Sequence, residues 1–133
     1  MTVRQGRAAV EFYKAAFGAA ELYRFGGGDA NAEIVAQLAV WVEDESPDHH
    51  NYSPQSLGGA TGRMLVIVDD PRAVVEQAKA AGATEIYPVA EEHGWLLGRV
   101  ADPFGHHWEI GKPLIEWPPR PAGAGQPGES EQA

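Results

Sequence analysis

The chain has 133 residues, 44% of them hydrophobic, enough to bury one sizeable core and too few to expect independent domains. It carries no cysteine, which excludes disulfides and thiolate metal sites, and its net charge of −9 argues against nucleic-acid binding, which needs a basic face to neutralise phosphates. No segment approaches the roughly 20 apolar residues of a membrane span, and the opening MTVRQGRAAV has no apolar signal core, so the expected setting is the cytoplasm, with no membrane partner.

In chain order, residues 7–23, RAAVEFYKAAFGAAELY, come first, and they are written again at 72–87, RAVVEQAKAAGATEIY. With Phe17 skipped, 11 of the 16 aligned pairs are identical. Each copy is an Ala-rich amphipathic helix stopped by glycine, Gly18 or Gly82, and followed by a β-favouring run. The repeat of about 65 residues suits two small α+β modules. In the first helix Val10, Tyr13 and Phe17, with Phe12, form an apolar stripe expected to lie on a sheet as core. A strand at 21–25 leads to a turn of Gly26, Gly27, Gly28 and Asp29, a weak phosphate-loop candidate because no Lys-Ser/Thr follows. Residues 32–36 and 39–43 read as a hairpin pair, with Trp41 in the second strand. Residues 44–62, DESPDHHNYSPQSLGGATG, have no periodicity and read as the linker, in which the adjacent His49 and His50 are expected to be solvated.

The second module opens with the strand RMLVIV at 63–68. Its alternation puts Met64, Val66 and Val68 on one face and Arg63, Leu65 and Ile67 on the other. Asp69, Asp70 and Pro71 start the second helix. Strands follow at 85–89, 95–100 and 107–110, with a loop holding Glu91, Glu92 and His93 and a type I turn at 102–105. Module 2 is thus strand, helix and three strands. The repeat offset puts the counterpart of Val68 at Val3 and that of Arg63 before Met1, so module 1 is expected to lack most of its first strand, through a downstream start or completion of the edge by another chain.

These residues carry a resemblance. AVEFYKAAFGAAELYRF, the DESP after Trp41, VDDPRAVVEQAKAAGAT and above all GWLLGRVADPFGHHWEIGKPL resemble the vicinal-oxygen-chelate superfamily, in its glyoxalase, bleomycin-resistance and PhnB-like branch. The resemblance implies an α+β fold of two βαβββ modules with curved mixed sheets forming a concave cleft. It covers a single domain at 1–113, with module 1 at about 1–44, a linker at 45–62 and module 2 at 63–113, leaving 114–133 as a tail disordered by composition. It also implies a homodimer with a cavity at or near the interface.

Metalloenzymes of the superfamily place ligands on the first and fourth strands of both modules. Here those positions fall on Glu109, on Arg63, near Trp41 or Glu43, and on a strand position this chain lacks. A guanidinium about 5 Å from a divalent ion would be unfavourable by roughly 6–7 kcal/mol at an effective dielectric near 20. The expectation is therefore no metal and no other cofactor, with Arg63 paired to Glu109 beside His107 on the concave face and Trp108 and Ile110 on the helix-covered face. Trp41, Arg63, Leu65, Trp95, His107 and Glu109 are the candidate ligand-binding residues, and no catalytic residue is assigned. The resemblance implies a metal-free protein that holds a small organic, antibiotic-like molecule in an aromatic cleft. The alternative is a metal-dependent glyoxalase, dioxygenase or isomerase that uses Glu109, His107 and a further ligand from a partner chain.

Overall fold

The computed structural model describes residues 1–24, 32–35 and 39–121, with side chains described outside 22–41. Module 1 runs β1 (Thr2–Val3), α1 (Gly6–Phe17), β2 (Ala20–Arg24), β3 (Ala32–Val35) and β4 (Ala39–Asp44). A 3-10 turn (Pro47–His49) and a short helix α2 (Pro54–Leu57) cross to module 2, which runs β5 (Arg63–Ile67), α3 (Pro71–Ala81), β6 (Thr84–Glu92), β7 (Trp95–Ala101) and β8 (His107–Pro113). The sheets have the same topology, β1-β4-β3-β2 and β5-β8-β7-β6, with the first and last strands of each module parallel. The repeat in the sequence is therefore a repeat in the fold. Its asymmetry is also as expected, since β1 pairs with β4 over two residues and β5 with β8 over five. No helix among the described residues is long and apolar enough to cross a membrane.

Local chemistry sets the helix ends. Asp70 accepts a hydrogen bond from the Ala73 N–H at 3.2 Å, with Pro71 in the first turn where its missing donor is harmless. The first helix has no such cap of its own; Asp44, at the end of β4, accepts from the Gly6 N–H at 2.6 Å instead. Gly18 ends α1 in the left-handed conformation at φ 67°, returning its N–H to Lys14. The glycine run at 26–28 lies outside the described residues. Two strand limits differ from expectation. Glu91 and Glu92 belong to β6, not to a loop, because His93 and Gly94 both take positive φ and make a two-residue hairpin turn. The last strand continues past Ile110 to Pro113, pairing with β7 up to Trp95.

One core joins the modules. Val10, Phe12 and Tyr13 of α1 are buried with Val75 of α3 and with Val100, Phe104, Trp108 and Ile110 of module 2. Tyr13 and Phe17 meet the Trp108 ring at centroid distances of 5.3 and 4.8 Å. Gln77 of α3 donates to the carbonyls of Ala15 and Ala16 in α1. Beneath these rings Asp102 accepts from Tyr13 Oη at 2.6 Å, from Trp108 Nε1 at 2.9 Å and from the Phe104 and His106 N–H groups at 2.9 Å. The carboxylate is thus fully used in holding the turn and both modules. Burial and this neighbouring carboxylate push the Tyr13 hydroxyl well above the usual tyrosine range.

The connection at 45–62 has more order than its aperiodic sequence suggests. Glu45 accepts from the Ser53 N–H at 3.0 Å, from Ser53 Oγ at 2.7 Å and from Ser56 Oγ at 2.7 Å, and Ser53 in turn caps α2. His49 and His50 are exposed, with His49 Nδ1 at 2.7 Å from Ser46 Oγ. The hydrogen bonds from Ser56 and Ser53 lower the Glu45 pKa from an ordinary 4.5 to about 2. Because the folded value lies below the unfolded one, this contribution is present above pH 4.5 and is lost as pH falls toward 2. Thermal unfolding should therefore lose more stability between those limits in the wild-type chain than in Glu45→Gln; parallel curves would contradict the latch.

Candidate functional site

Among the described residues, only those of strands and of the hairpin turn line the curved face of the second sheet. Strand alternation sends Val66, Trp108, Ile110 and Val100 into the core and leaves Arg63, Leu65, Arg99 and Glu109 on the opposite face, as expected for β5 and β8. Between β6 and β7, Pro88 and Val89 together oppose the single residue Gly98. A Cβ on Gly98 would lie 2.8 Å from Val89 Cγ2, so glycine is what lets this bulge close and bend the sheet. The bend encloses an open groove of about 730 Å³, walled by Leu65, Tyr87, Trp95, Leu97, Arg99 and Glu109. That volume lies within the range of small-molecule sites, roughly 300–1,000 Å³. A smaller hollow of about 420 Å³ adjoins it, where Thr61 and His107 meet Arg63, Arg99 and Glu109.

The polar groups gather at one end. Arg63 Nε donates to Glu109 Oε1. The side chains are 53% and 22% exposed, so this is a solvated pair and not a buried one. Arg63→Ala should accordingly change the unfolding free energy by no more than about 1 kcal/mol. A loss of several kcal/mol, the result for a stranded buried carboxylate, would contradict that geometry. Arg99 lies 4.8 Å above the centre of the Tyr87 ring, a cation–π contact. His107 Nδ1 is the one buried side-chain polar atom among the described residues without a hydrogen-bond partner. Such a group is unfavourable by about 1–3 kcal/mol.

The ladders fix the equivalence of the two modules. In sheet 2, Tyr87, Arg99 and Glu109 lie side by side across β6, β7 and β8. In sheet 1 the same row is Tyr23, Glu33 and Trp41. The β1–β4 pairing agrees, since Thr2 opposite Glu43 matches Ile67 opposite Gly111. The module 1 position equivalent to Glu109 is therefore Trp41, not Glu43. Of the strand positions at which metalloenzymes of this fold hold a metal, this chain supplies an arginine, a tryptophan and one carboxylate that the arginine already engages. No three His, Asp or Glu side chains converge among the described residues. The donor set does not fit a divalent metal, and no chemical step is derived through one.

Arg63, Leu65, Trp95, His107 and Glu109 are brought together on this face. The side chain of Trp41 lies outside the described residues. Trp95 stands at the end of the groove away from Arg63, beside Glu92, and also meets Trp117 edge to face, with ring centres 4.9 Å apart. The Leu114 N–H donates to Gly94 O at 2.7 Å, bringing the chain after β8 to this hairpin. Sequence reasoning missed Arg99, Leu97 and Tyr87. The signal was present in WLLGRVA: with Val100 inside, a period of two puts Trp95, Leu97 and Arg99 on the groove face.

Comparison with known proteins agrees with this architecture. A family model described as a glyoxalase-like domain matches residues 1–111. An uncharacterized protein of Mycobacterium bovis is 35% identical over 124 residues, which cover 87% of this chain and 82% of that protein. The crystal structure of a gene product from Arabidopsis thaliana is 30% identical, covering 82% of this chain and 88% of that one with a TM-score of 0.62. A glyoxalase/bleomycin resistance protein/dioxygenase family enzyme from Burkholderia phytofirmans shares the fold at a TM-score of 0.67 and 20% identity, over 86% of this chain and 94% of its own. With its duplicated βαβββ modules and the match along nearly all of the described fold, the chain belongs to the glyoxalase-like family of the vicinal-oxygen-chelate superfamily.

Proposed function

We propose that this protein is a cytoplasmic, non-catalytic member of its family that binds a small organic molecule, antibiotic-like molecules included, in the groove of sheet 2 without a metal. The observation that carries the reading is the composition of the groove: an apolar wall of Leu65, Leu97 and Trp95 stands beside an Arg63–Glu109 pair at the family's metal positions. A planar body would lie on the aromatic wall while the polar end orients its substituents. We also propose a homodimer. Among the described residues module 1 adds none to the lining of the groove, and Leu65 and Tyr87 are 38% and 58% exposed on a face that a second copy would cover.

Sedimentation at micromolar concentration should show the dimer; monomer alone would rule it out. Titration of chelator-treated protein with planar aromatic compounds should quench tryptophan emission, and Leu97→Arg should abolish the quenching. The second reading, a metal-dependent enzyme, would need a further ligand from a partner chain beside Glu109 and His107, which line the same hollow. Elemental analysis of protein purified without chelator separates the two. Well under one metal per chain is expected for the binding protein, whereas a full equivalent that disappears in Glu109→Ala would establish the enzyme.

A further inference from the structure

We infer that the ligand of this groove is an acid, an apolar body about 10–13 Å long that ends in a carboxylate held by Arg99 with the free nitrogens of Arg63. The inference rests on the binding reading above and adds the ligand's charge and polarity. Three observations carry it. First, the groove is polarised along β7: Trp95 and Leu97 form its apolar part, and Arg99, four residues from Trp95, lies about 13 Å away at a strand rise near 3.3 Å.

Second, the cations at this end outnumber the anions. Arg63 engages Glu109 through Nε, and its two terminal nitrogens have no acceptor among the described residues. Arg99 stands beside Glu109 in the ladder, yet among the described residues its guanidinium makes no ion pair, and it lies over the Tyr87 ring. A guanidinium in such a contact still carries its N–H donors, whose fork can hold a carboxylate through two parallel hydrogen bonds. Thr61 and His107 add further polar groups at the same hollow, and the other carboxylate of the groove, Glu92, pairs in register with Trp95 at the far end. Third, this surplus of positive charge occurs in a chain of net charge −9, where an unpaired arginine in a concavity is the exception to the overall field. An anion would enter against that field and be stabilised only at this end, which gives selectivity for an acid able to reach the arginines with its body on the apolar wall.

The test uses a matched pair, biphenyl-4-carboxylate and biphenyl-4-carboxamide, titrated into the full chain by tryptophan fluorescence. The acid should bind at least about tenfold more tightly, the lower range for a charge-assisted hydrogen bond. Raising salt from about 50 to about 500 mM should weaken the acid and spare the amide, and Arg99→Gln should bring the acid down to the amide's level. Equal affinities in the wild-type chain would overturn the inference and leave the groove a binding site. Binding of neither compound would overturn the groove reading and the acid with it. If Arg99→Gln does not fold, the acid–amide and salt comparisons on the wild-type chain decide alone.

Discussion

Asp102→Ala should lower the unfolding free energy by roughly 3–5 kcal/mol, a large fraction of the 5–15 kcal/mol that holds a domain of this size. Asp102 is 5% exposed, and it accepts from a phenol, an indole and two backbone N–H groups, one of them across the boundary between the modules. Alanine would leave three buried donors and the half-buried His106 N–H without an acceptor, and each buried one is unfavourable by about 1–3 kcal/mol, relieved in part where water can enter. Tyr13→Phe removes only the bond to the phenol and should lose roughly 1–2 kcal/mol. The two changes share a partner, so the double variant should fall short of their sum. Urea unfolding of the three variants measures this directly. A loss under about 1 kcal/mol for Asp102→Ala would show that the turn, and not the carboxylate, joins the modules.

Gly105→Ala should lose about 2–5 kcal/mol, far more than the same change on an ordinary surface turn. Gly105 takes φ +89°, which is unfavourable for an L side chain by roughly 1–2 kcal/mol. Its Cβ would also sit 2.8 Å from Pro54 Cβ, and Pro54 begins the short helix pinned through Ser53 to Glu45. Neither side can yield without disturbing a hydrogen-bonded loop, and overpacking of this kind adds about 1–3 kcal/mol. Thermal unfolding of Gly105→Ala against Gly59→Ala, where nothing lies within 4 Å of the added carbon, isolates the effect. Equal shifts would contradict it.

The repeat, the two modules and the groove-facing side of β5 and β8 were legible because they depend on periodicity, which a strand or helix writes into its own residues. The hydrophobic stripe Val10, Tyr13 and Phe17 predicted a core helix, and those rings meet Trp108. What could not be read was pairing across the chain. Nothing local says that Asp44 caps a helix 38 positions earlier, or that Asp102 serves Tyr13 from the other module. The register of Trp41 against Glu43 was likewise undetermined until both ladders were in hand. Arg99 is a different case: the two-residue period of its own strand already placed it beside Glu109, and its role emerged only when Tyr87 came beneath it.

The most direct test of the account is the map of backbone amide shifts when biphenyl-4-carboxylate is added to the labelled, chelator-treated full chain. The account predicts saturable shifts concentrated on Leu65, Leu97, Arg99 and Glu109, in the groove of sheet 2, with α1 and its core contacts unmoved. Shifts confined to the connection at 45–62, or shifts that require added metal, would contradict it.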